Sequence, residues 1–436
     1  MWKGVNVSAE ARGGFATFLT MSYIVFVQPA VLSQAGMDFG SVMMATIISS
    51  VVATLIMGIF ANYPIALAPG MGENFFFAFT IVLGMGIPWQ TALGGVFVAG
   101  VIFLVISLLG LRQKVITIIP PSLKSAIAVG IGLFIAFIGF IDSGIIIRSQ
   151  GTPLSLGNLA QPPVLLALFG LAITTVLLAR KVKGAILFGM LSSLVVGLIT
   201  GVVRYQGIFS LPPSVSPTFL RMDIAGVFRP EMVTVVLVFL FMDFFDTIGT
   251  IVAVAERMGI VDDKGNIPRA GRVLLADAIG TVVGALFGTS TVTSFIESLT
   301  GVAEGAKTGL ANIFTSLGFL ACMFLYPLVK MVGGGYQLSE TVTLYPITGP
   351  ILIIVGAMMA TSFRDIEWKR YDEAIPAFLA MLGMPLTYSI SNGLALGFIS
   401  YAVIKPLVGK GKELHPIFYI VAAIFLAKYI FIGFSY

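Results

Sequence analysis

The sequence predicts an all-α polytopic membrane protein with 14 transmembrane segments arranged as a 7+7 inverted repeat. Hydrophobic residues make up 58% of the 436-residue chain, charged residues make up 10%, and the mean hydropathy is +1.03. A soluble protein carries roughly 25% charged residues, so this chain has too few polar side chains to cover a water-facing surface. The composition excludes a secreted enzyme, a nucleic-acid binder and a peripherally anchored protein.

Apolar stretches long enough to cross a hydrocarbon core of about 30 Å recur along the whole chain. Glycine and proline divide them into segments, which we place at 13–33, 41–61, 70–84, 90–110, 123–141, 164–180, 184–203, 231–255, 271–287, 294–303, 307–330, 342–362, 373–387 and 389–408. A polar linker at 204–230 separates seven segments from seven. An odd number in each half means that the second half starts on the opposite side of the membrane, as in an inverted repeat.

Basic residues predict a cytoplasmic N-terminus. With that orientation, 19 of the 25 Lys and Arg fall in inner segments, as the positive-inside rule describes. Fusing 373–408 into one span would move Lys405, Lys410 and Lys412 outside, so we place two short spans there. The last apolar run, 416–434, is either an extra span or an interfacial helix.

One cysteine, Cys322, and one histidine, His415, give no basis for a disulfide framework or for a metal centre with Cys or His ligands. We therefore expect neither a metal nor a cofactor.

The third segment of each predicted half is short and follows non-helical sequence. In the first half the break includes Pro69, which has no amide hydrogen and disfavours a helix before it, and a half-helix can start at Asn74. In the second half, threonines alternate at the strand period of two along 289–293, and a half-helix begins at Ser294. Two such breaks at matching positions indicate a binding site near the bilayer midplane. Re-entrant structural kinks are the alternative interpretation.

Two acids lie inside the eighth predicted span. Asp243, Asp246, Thr247 and Thr250 follow the spacing i, i+3, i+4, i+7 and share one helical face. A charged Asp at the bilayer centre costs about 2.5–3.5 kcal/mol, and two carboxylates one turn apart disfavour joint ionisation. Such a pair suits proton binding. Carboxylates that are satisfied by structural hydrogen bonds are the alternative.

The half-helices supply the remaining candidates for substrate contact. Ser294 and Glu297 match a capping box, in which the glutamate returns to the N-cap amide, and a glutamate in the first turn also faces the cavity. Asn74 can donate to and accept from a planar heterocycle, whereas we expect Glu73 to cap the helix or to support its neighbours. Phe75 is expected to pack, or alternatively to stack on a ring.

Four motifs in this chain match those of a known transporter family. They are Thr17–Pro29, Ala68–Asn74, Met242–Thr250 and Gly288–Ser298. The chain resembles the AzgA-like purine permeases, which are the adenine/guanine/hypoxanthine branch of the nucleobase–ascorbate transporter superfamily. The resemblance covers nearly the whole length of the chain.

The resemblance implies a core domain, 1–111 with 206–335, and a gate domain, 112–205 with 336–436. It also implies purine–proton symport by an elevator-like motion, often in a homodimer, in the inner cell membrane. By position, the substrate contacts that the resemblance implies fall on Asn74, Asp243, Asp246 and Glu297. Phe75, Thr247 and Ser294 are further candidates for substrate binding, and Asp243, Asp246 and Glu297 are the candidates for proton coupling. Glu73 and Gln28 depart from the family pattern, so the preferred purine stays open.

Other functions are compatible with part of this pattern. An anion transporter of the sulfate type, or another nucleobase or uracil transporter, would use the same 7+7 fold, but an anion site should present cations, and this one is rich in acids. An intramembrane aspartyl protease needs two Asp on separate helices that share a proton, whereas Asp243 and Asp246 lie on one helix. A channel is disfavoured because dead-end half-helices bind better than they conduct. No enzymatic activity is expected.

Overall fold

The computed structural model describes residues 2, 4–109, 119–149, 151–262 and 267–432. The expected boundary between residues 111 and 112 and the end of the last apolar run, 433–434, lie outside these residues.

The first half of the chain consists of helices and three very short strands. Its elements are α1 (Val7–Met21), α2 (Ile24–Gln34), α3 (Phe39–Ile56), β1 (Leu67–Pro69), α4 (Met71–Phe75), α5 (Trp89–Leu108), α6 (Pro121–Asp142), β2 (Ile146–Ile147), β3 (Ser155–Leu156), α7 (Pro162–Ala179) and α8 (Ala185–Ile199). Helices α3 and α4 continue as π-helical segments, Met57–Ala61 and Phe76–Gly84.

The second half has the same kinds of element. They are α9 (Pro230–Met258), α10 (Ala270–Phe287), β4 (Val292–Ser294), α11 (Ser298–Ala303), α12 (Leu310–Cys322), α13 (Tyr326–Gly333), β5 (Tyr336–Gln337), β6 (Thr343–Leu344), α14 (Thr348–Met359), α15 (Tyr371–Leu386), α16 (Ile390–Leu407) and α17 (Pro416–Ala427). The last apolar run is therefore helical as far as the structure describes it, with a π-helical end at Lys428–Ile432.

Eight helical segments within the described residues are long and apolar enough to cross a membrane. A ninth is counted if α12 and α13 form one span, although they are bent by 81° at their junction. The sequence predicted one continuous segment there, 307–330, and this expectation is wrong. Pro327 lies in the first turn of α13, and its missing amide cannot continue the hydrogen bonding of α12.

The start of each half-helix also differs from the sequence prediction. Helix α4 begins at Met71, three residues before Asn74, and α11 begins at Ser298, four residues after Ser294. Ser294 is the last residue of β4, and Glu297 makes no side-chain capping bond. The predicted capping box does not form, because Ser294 is part of the strand and Glu297 itself is the N-cap residue. The Ser294 hydroxyl donates to Asp277, at 2.9 Å.

The two short helices predicted near the C-terminus are present as an antiparallel pair, α15 and α16. A Cβ at Gly383 would come within 3.0 Å of the Gly393 Cα atom, so the glycines allow a close approach. Lys405, which the sequence predicts to lie on the inner side at the end of the 389–408 segment, is buried at the end of α16. Its ammonium group contacts three carboxylates, with N–O distances of 2.5–3.0 Å, from Asp372, Glu373 and Glu413.

Helix α1 packs tightly against the chain around α11 and α12. A Cβ at Gly13 would lie 2.7 Å from the carbonyl oxygen of Gly301, and one at Gly14 would overlap the carbonyl oxygen of Ala311. Since a side chain cannot occupy either space, glycine permits this approach. The first helix of the chain is therefore held against the second broken span.

Asn312 on α12 joins this helix to the first broken span. Its side-chain amide donates to the carbonyl oxygens of Thr54, Tyr63 and Ile65 at distances of 2.9–3.1 Å. These carbonyls lie near the end of α3 and in the non-helical stretch that leads into β1. A single buried side chain thus supplies donors for backbone that leaves a helix inside the protein.

We expect Asn312→Ala to destabilise the folded protein, because each buried carbonyl left without a donor costs about 1–3 kcal/mol. Thermal unfolding in detergent should show a clearly lower midpoint than in the wild type. Asn158→Ala is the control, because Asn158 accepts only a local bond from Ala160 in an exposed loop. Equal midpoints for the two variants would contradict this role of Asn312.

Candidate functional site

The two broken spans meet as a short antiparallel ladder. Strand β1 pairs with β4 in the register Leu67 to Ser294, Ala68 to Thr293 and Pro69 to Val292. The ladder continues at both ends, because the Gly70 amide donates to Thr291 and the Phe295 amide donates to Ala66, each at 3.0 Å. The ladder brings both half-helices to one place, as the matching breaks in the sequence predicted.

Hydroxyl groups satisfy backbone groups around the ladder. Thr54 accepts from the Leu67 amide at 2.9 Å and donates to the Leu67 carbonyl at 3.1 Å. Ser298 accepts from the Ala66 amide at 3.0 Å, and Thr281 accepts from the Val292 amide at 3.3 Å. Side chains of α3, α10 and α11 therefore take the place of water for this extended backbone.

The polar face predicted on the eighth span is divided in the structure. Thr247 contacts Thr293 at 2.9 Å between hydroxyls, and Thr250 donates to the Ser294 carbonyl at 2.9 Å. Asp243 is buried on the same side, where it accepts from Thr281 at 2.8 Å. Asp246 is exposed instead, and its side chain faces a cavity.

Asp277 on α10 is an acid that sequence reasoning missed. It is fully buried, its Oδ1 atom accepts from Ser294, and its carboxyl group is a neighbour of the Asp243 carboxyl group. The signal was present in the sequence, since Asp277 is an isolated acid in an apolar helix, but no periodic partner marks it.

A second carboxyl contact joins α4 and α9. Glu73 is fully buried, and its carboxyl group is a neighbour of that of Asp246. No hydroxyl, cation or amide of another described residue donates to Glu73. Glu73 thus lies beside a predicted site residue, in a supporting position.

Asn74 and Phe75 are completely buried in the half-helix α4. Asn74 accepts from the Ser290 hydroxyl through Oδ1, whereas its Nδ2 donor has no partner among the described residues. Phe75 stacks on Phe79 with ring centroids 5.5 Å apart. Gln28 on α2 donates to Thr289 at 2.8 Å.

Glu297 lines a large open cavity. The cavity has a volume of about 850 Å³ and lies between α11, the end of α9 and the loop from α7 to α8. The Tyr23 hydroxyl donates to the Oε1 atom of Glu297 at 2.7 Å. Asp246 lines a separate small cavity of about 40 Å³ with Lys124 and Phe398.

An ion pair crosses the mouth of the large cavity. Lys183, in the loop before α8, lies 2.5 Å from a carboxylate oxygen of Glu304, which directly follows α11. The hydrogen bond and the charge of Lys183 lower the pKa of the Glu304 carboxyl, so this carboxyl group is ionised at neutral pH. The pair connects two parts of the chain that line the cavity.

The predicted site residues therefore fall into two groups. Glu297 and Asp246 face cavities, whereas the others are buried and bonded or packed within the protein, namely Asn74, Phe75, Asp243, Thr247 and Ser294. Apolar helices around a polar ladder of two broken spans, with a large cavity that reaches an acid at one of the breaks, are typical of a membrane transporter.

The chain belongs to the Permease family (Xan_ur_permease), whose model matches residues 9–396. The guanine/hypoxanthine permease PbuG of Bacillus subtilis (strain 168) is 45% identical over 441 residues, which cover 98% of each chain. The adenine permease AdeP of Escherichia coli (strain K12) is 40% identical over 429 residues, covering 98% of this chain and 94% of AdeP. The expected multi-pass membrane class is confirmed, and the protein is a permease rather than an enzyme.

Among solved structures, the fold is similar to the transmembrane domain of a cyanobacterium bicarbonate transporter, BicA. The TM-score is 0.63 at 15% sequence identity, over 90% of this chain and 98% of that domain. At such low identity the structural likeness concerns the fold alone. It supports the inverted-repeat architecture expected from the sequence.

Two adjacent residues between β4 and α11 should differ in their accessibility to a thiol reagent. Ile296 is 44% exposed and lines the large cavity, whereas Phe295 is 5% exposed. We expect Ile296→Cys to react with a hydrophilic thiol reagent in detergent at least about tenfold faster than Phe295→Cys, because only the exposed thiol meets the reagent as a thiolate. The native Cys322 is buried and should give little background.

Wild-type protein under the same conditions is the blank for this labelling experiment. Equal labelling of the two cysteine variants would contradict the described cavity.

Proposed function

We propose that this permease imports purine nucleobases by proton symport, with Glu297 as the main substrate-binding acid. The observation that carries the proposal is the position of its carboxylate, at a broken span on the wall of an 850 Å³ cavity. Purines present ring and amino N–H groups, and an ionised carboxylate is a strong acceptor for such donors.

The substrate class is also supported by the relatives. PbuG is named a guanine/hypoxanthine permease and AdeP an adenine permease, so a purine base is the substrate shared by both names. We propose further contacts from Asp246, and supporting roles near the ladder for Asn74, Asp243 and Thr247 together with Phe75 and Ser294. Adenine, guanine and hypoxanthine are the candidates for the preferred purine.

Anion transport is the alternative suggested by the likeness to BicA. An anion site would need cations or helix N-termini directed at the ligand. Here the groups at the two breaks are acids and hydroxyls, and Glu73 and Asp277 add two more buried carboxyl groups. The chemistry of the site therefore favours a substrate that donates hydrogen bonds.

Proton coupling is supported by two neighbouring pairs of carboxyl groups. Glu73 lies near Asp246, and Asp243 lies near Asp277, and all but Asp246 are buried. Two carboxylates in contact in a low dielectric cannot both stay ionised without a cation between them. We propose that Asp246, Asp243 and Glu297 exchange the coupled proton, and that Glu73 and Asp277 hold protons with their partners.

An elevator-like motion would move the core domain against the gate domain, with the boundaries expected from the sequence. The polar contacts that would cross that boundary include Lys183 with Glu304, Gln34 with Asp142 at 3.3 Å, and the Ile390 amide with the Thr80 hydroxyl at 3.3 Å. We further propose a cytoplasmic N-terminus, an inner-membrane location and a homodimeric assembly. The large cavity, with Lys181, Lys183 and Arg257 in its lining, would then open to the cytoplasm.

Ligand binding should identify the substrate. We expect adenine, guanine or hypoxanthine, but not uracil, to raise the melting temperature of the purified protein, because a ligand of the native state stabilises it. Glu297→Gln should lower purine binding and uptake by about 10- to 100-fold, which is the effect of losing a hydrogen bond to a charged group. Glu340→Gln, in an exposed loop, is the control.

The Glu297→Gln variant must itself melt near the wild-type temperature in the absence of ligand. Wild-type uptake by this variant would remove the site assignment, and no shift with any purine would remove the substrate class.

Proton coupling should be visible in proteoliposomes. A purine gradient directed inward should acidify the lumen, as a pH-sensitive dye reports, and a protonophore should abolish uphill uptake. Asp246→Asn should retain purine exchange but lose accumulation, because the exchange cycle needs no net proton transfer whereas accumulation does. Accumulation that is insensitive to both protonophore and pH would contradict symport.

A further inference from the structure

We infer that Tyr23 is a positioning residue for purine binding, because its hydroxyl fixes the Glu297 side chain so that one carboxyl oxygen stays available to the substrate. The inference rests on the proposed function, since it assigns a role to a group that contacts the proposed binding acid.

The contact is direct, short and shielded. Tyr23 Oη lies 2.7 Å from Oε1 of Glu297, and Tyr23 is 3% exposed. A hydroxyl that donates to a carboxylate makes a charge-assisted bond, which is stronger than a neutral one. No other described side chain donates to Glu297, so Oε2 keeps its capacity for a ligand that enters the cavity.

A break in the first membrane span places this hydroxyl. Helix α1 ends at Met21 and α2 starts at Ile24. The carbonyl of Tyr23 accepts from the amides of Phe26 and Val27, each at 3.0 Å. The tyrosine is therefore held by the first turn of α2 at the junction between two helices.

Close packing fixes the distance between Tyr23 and Glu297. A Cβ at Gly301 would overlap the Thr17 hydroxyl and come within 2.6 Å of the Gly13 carbonyl oxygen. Gly301 belongs to α11, for which Glu297 is the N-cap residue. Helix α1 and the half-helix are thus in direct backbone contact, and the tyrosine and the glutamate keep their relative positions.

A glutamate side chain that is already held in its binding rotamer loses little conformational freedom when a ligand arrives. Without the Tyr23 hydroxyl, Glu297 would sample other rotamers in the open cavity. The loss should weaken purine binding while the later steps of transport proceed as before.

The test compares Tyr23→Phe with Tyr401→Phe. Tyr401 makes the same kind of bond, from its hydroxyl to a Glu373 carboxylate oxygen at 2.7 Å, away from the cavities. We expect Tyr23→Phe to raise the KM for purine uptake and the Kd for purine binding by about tenfold, with a maximal rate within twofold of wild type. Tyr401→Phe should leave KM and Kd unchanged.

A double-mutant cycle with Glu297→Asp separates positioning from general packing. The shorter side chain should already have lost the bond to Tyr23, so adding Tyr23→Phe should change the purine Kd by less than twofold. Melting temperatures of the ligand-free variants must stay close to wild type, which Phe should allow, because it fills the same space as Tyr.

Two results would overturn this inference and leave the proposed function in place. One is wild-type KM and Kd in Tyr23→Phe, and the other is an effect of Tyr23→Phe that is equally large beside Glu297→Asp. Wild-type protein that binds no purine would overturn both this inference and the proposed function.

Discussion

Extended backbone inside a bilayer must find its hydrogen-bond partners within the protein, and the rest of this structure depends on that constraint. The two broken spans leave helical geometry close to one another, and each contains the strand with which the other pairs. Hydroxyls of Thr54, Thr281 and Ser298 complete the bonding. Because those hydroxyls come from three helices, satisfying the backbone also fixes those helices around the ladder, and with them the acids that they carry.

The acids near the ladder have two kinds of surroundings, and the difference gives them different chemistry. Asp243 and Asp277 are buried and receive hydroxyl bonds, so their geometry is set by the protein. Glu297 and Asp246 face cavities, where a ligand or water can reach them. The site therefore contains two kinds of carboxyl group, one buried and bonded within the protein and the other accessible from a cavity. Both kinds lie on the same few elements.

The sequence predicted the membrane class, the position of both breaks and the acids on α9, because these depend on composition, on Pro69 and on local periodicity. It failed where a distant group competes with a local one. Ser294 and Glu297 match a capping box, but the Ser294 hydroxyl donates to Asp277 and the Glu297 carboxylate accepts from the Tyr23 hydroxyl. The bond from Tyr23 to Glu297 spans 274 residues, and no local pattern encodes such a pairing.

The pairing of β1 with β4 also has a consequence for biogenesis. Leu67 precedes its partner Ser294 by 227 residues, and a ribosome adds about 5–20 residues per second. The first broken span is therefore made roughly 10–45 s before its partner strand exists. During that interval its open backbone groups need water, lipid headgroups or an insertion factor. The last steps of folding must then wait for synthesis of the second half, so truncated chains that end before β4 should be substrates for membrane quality control.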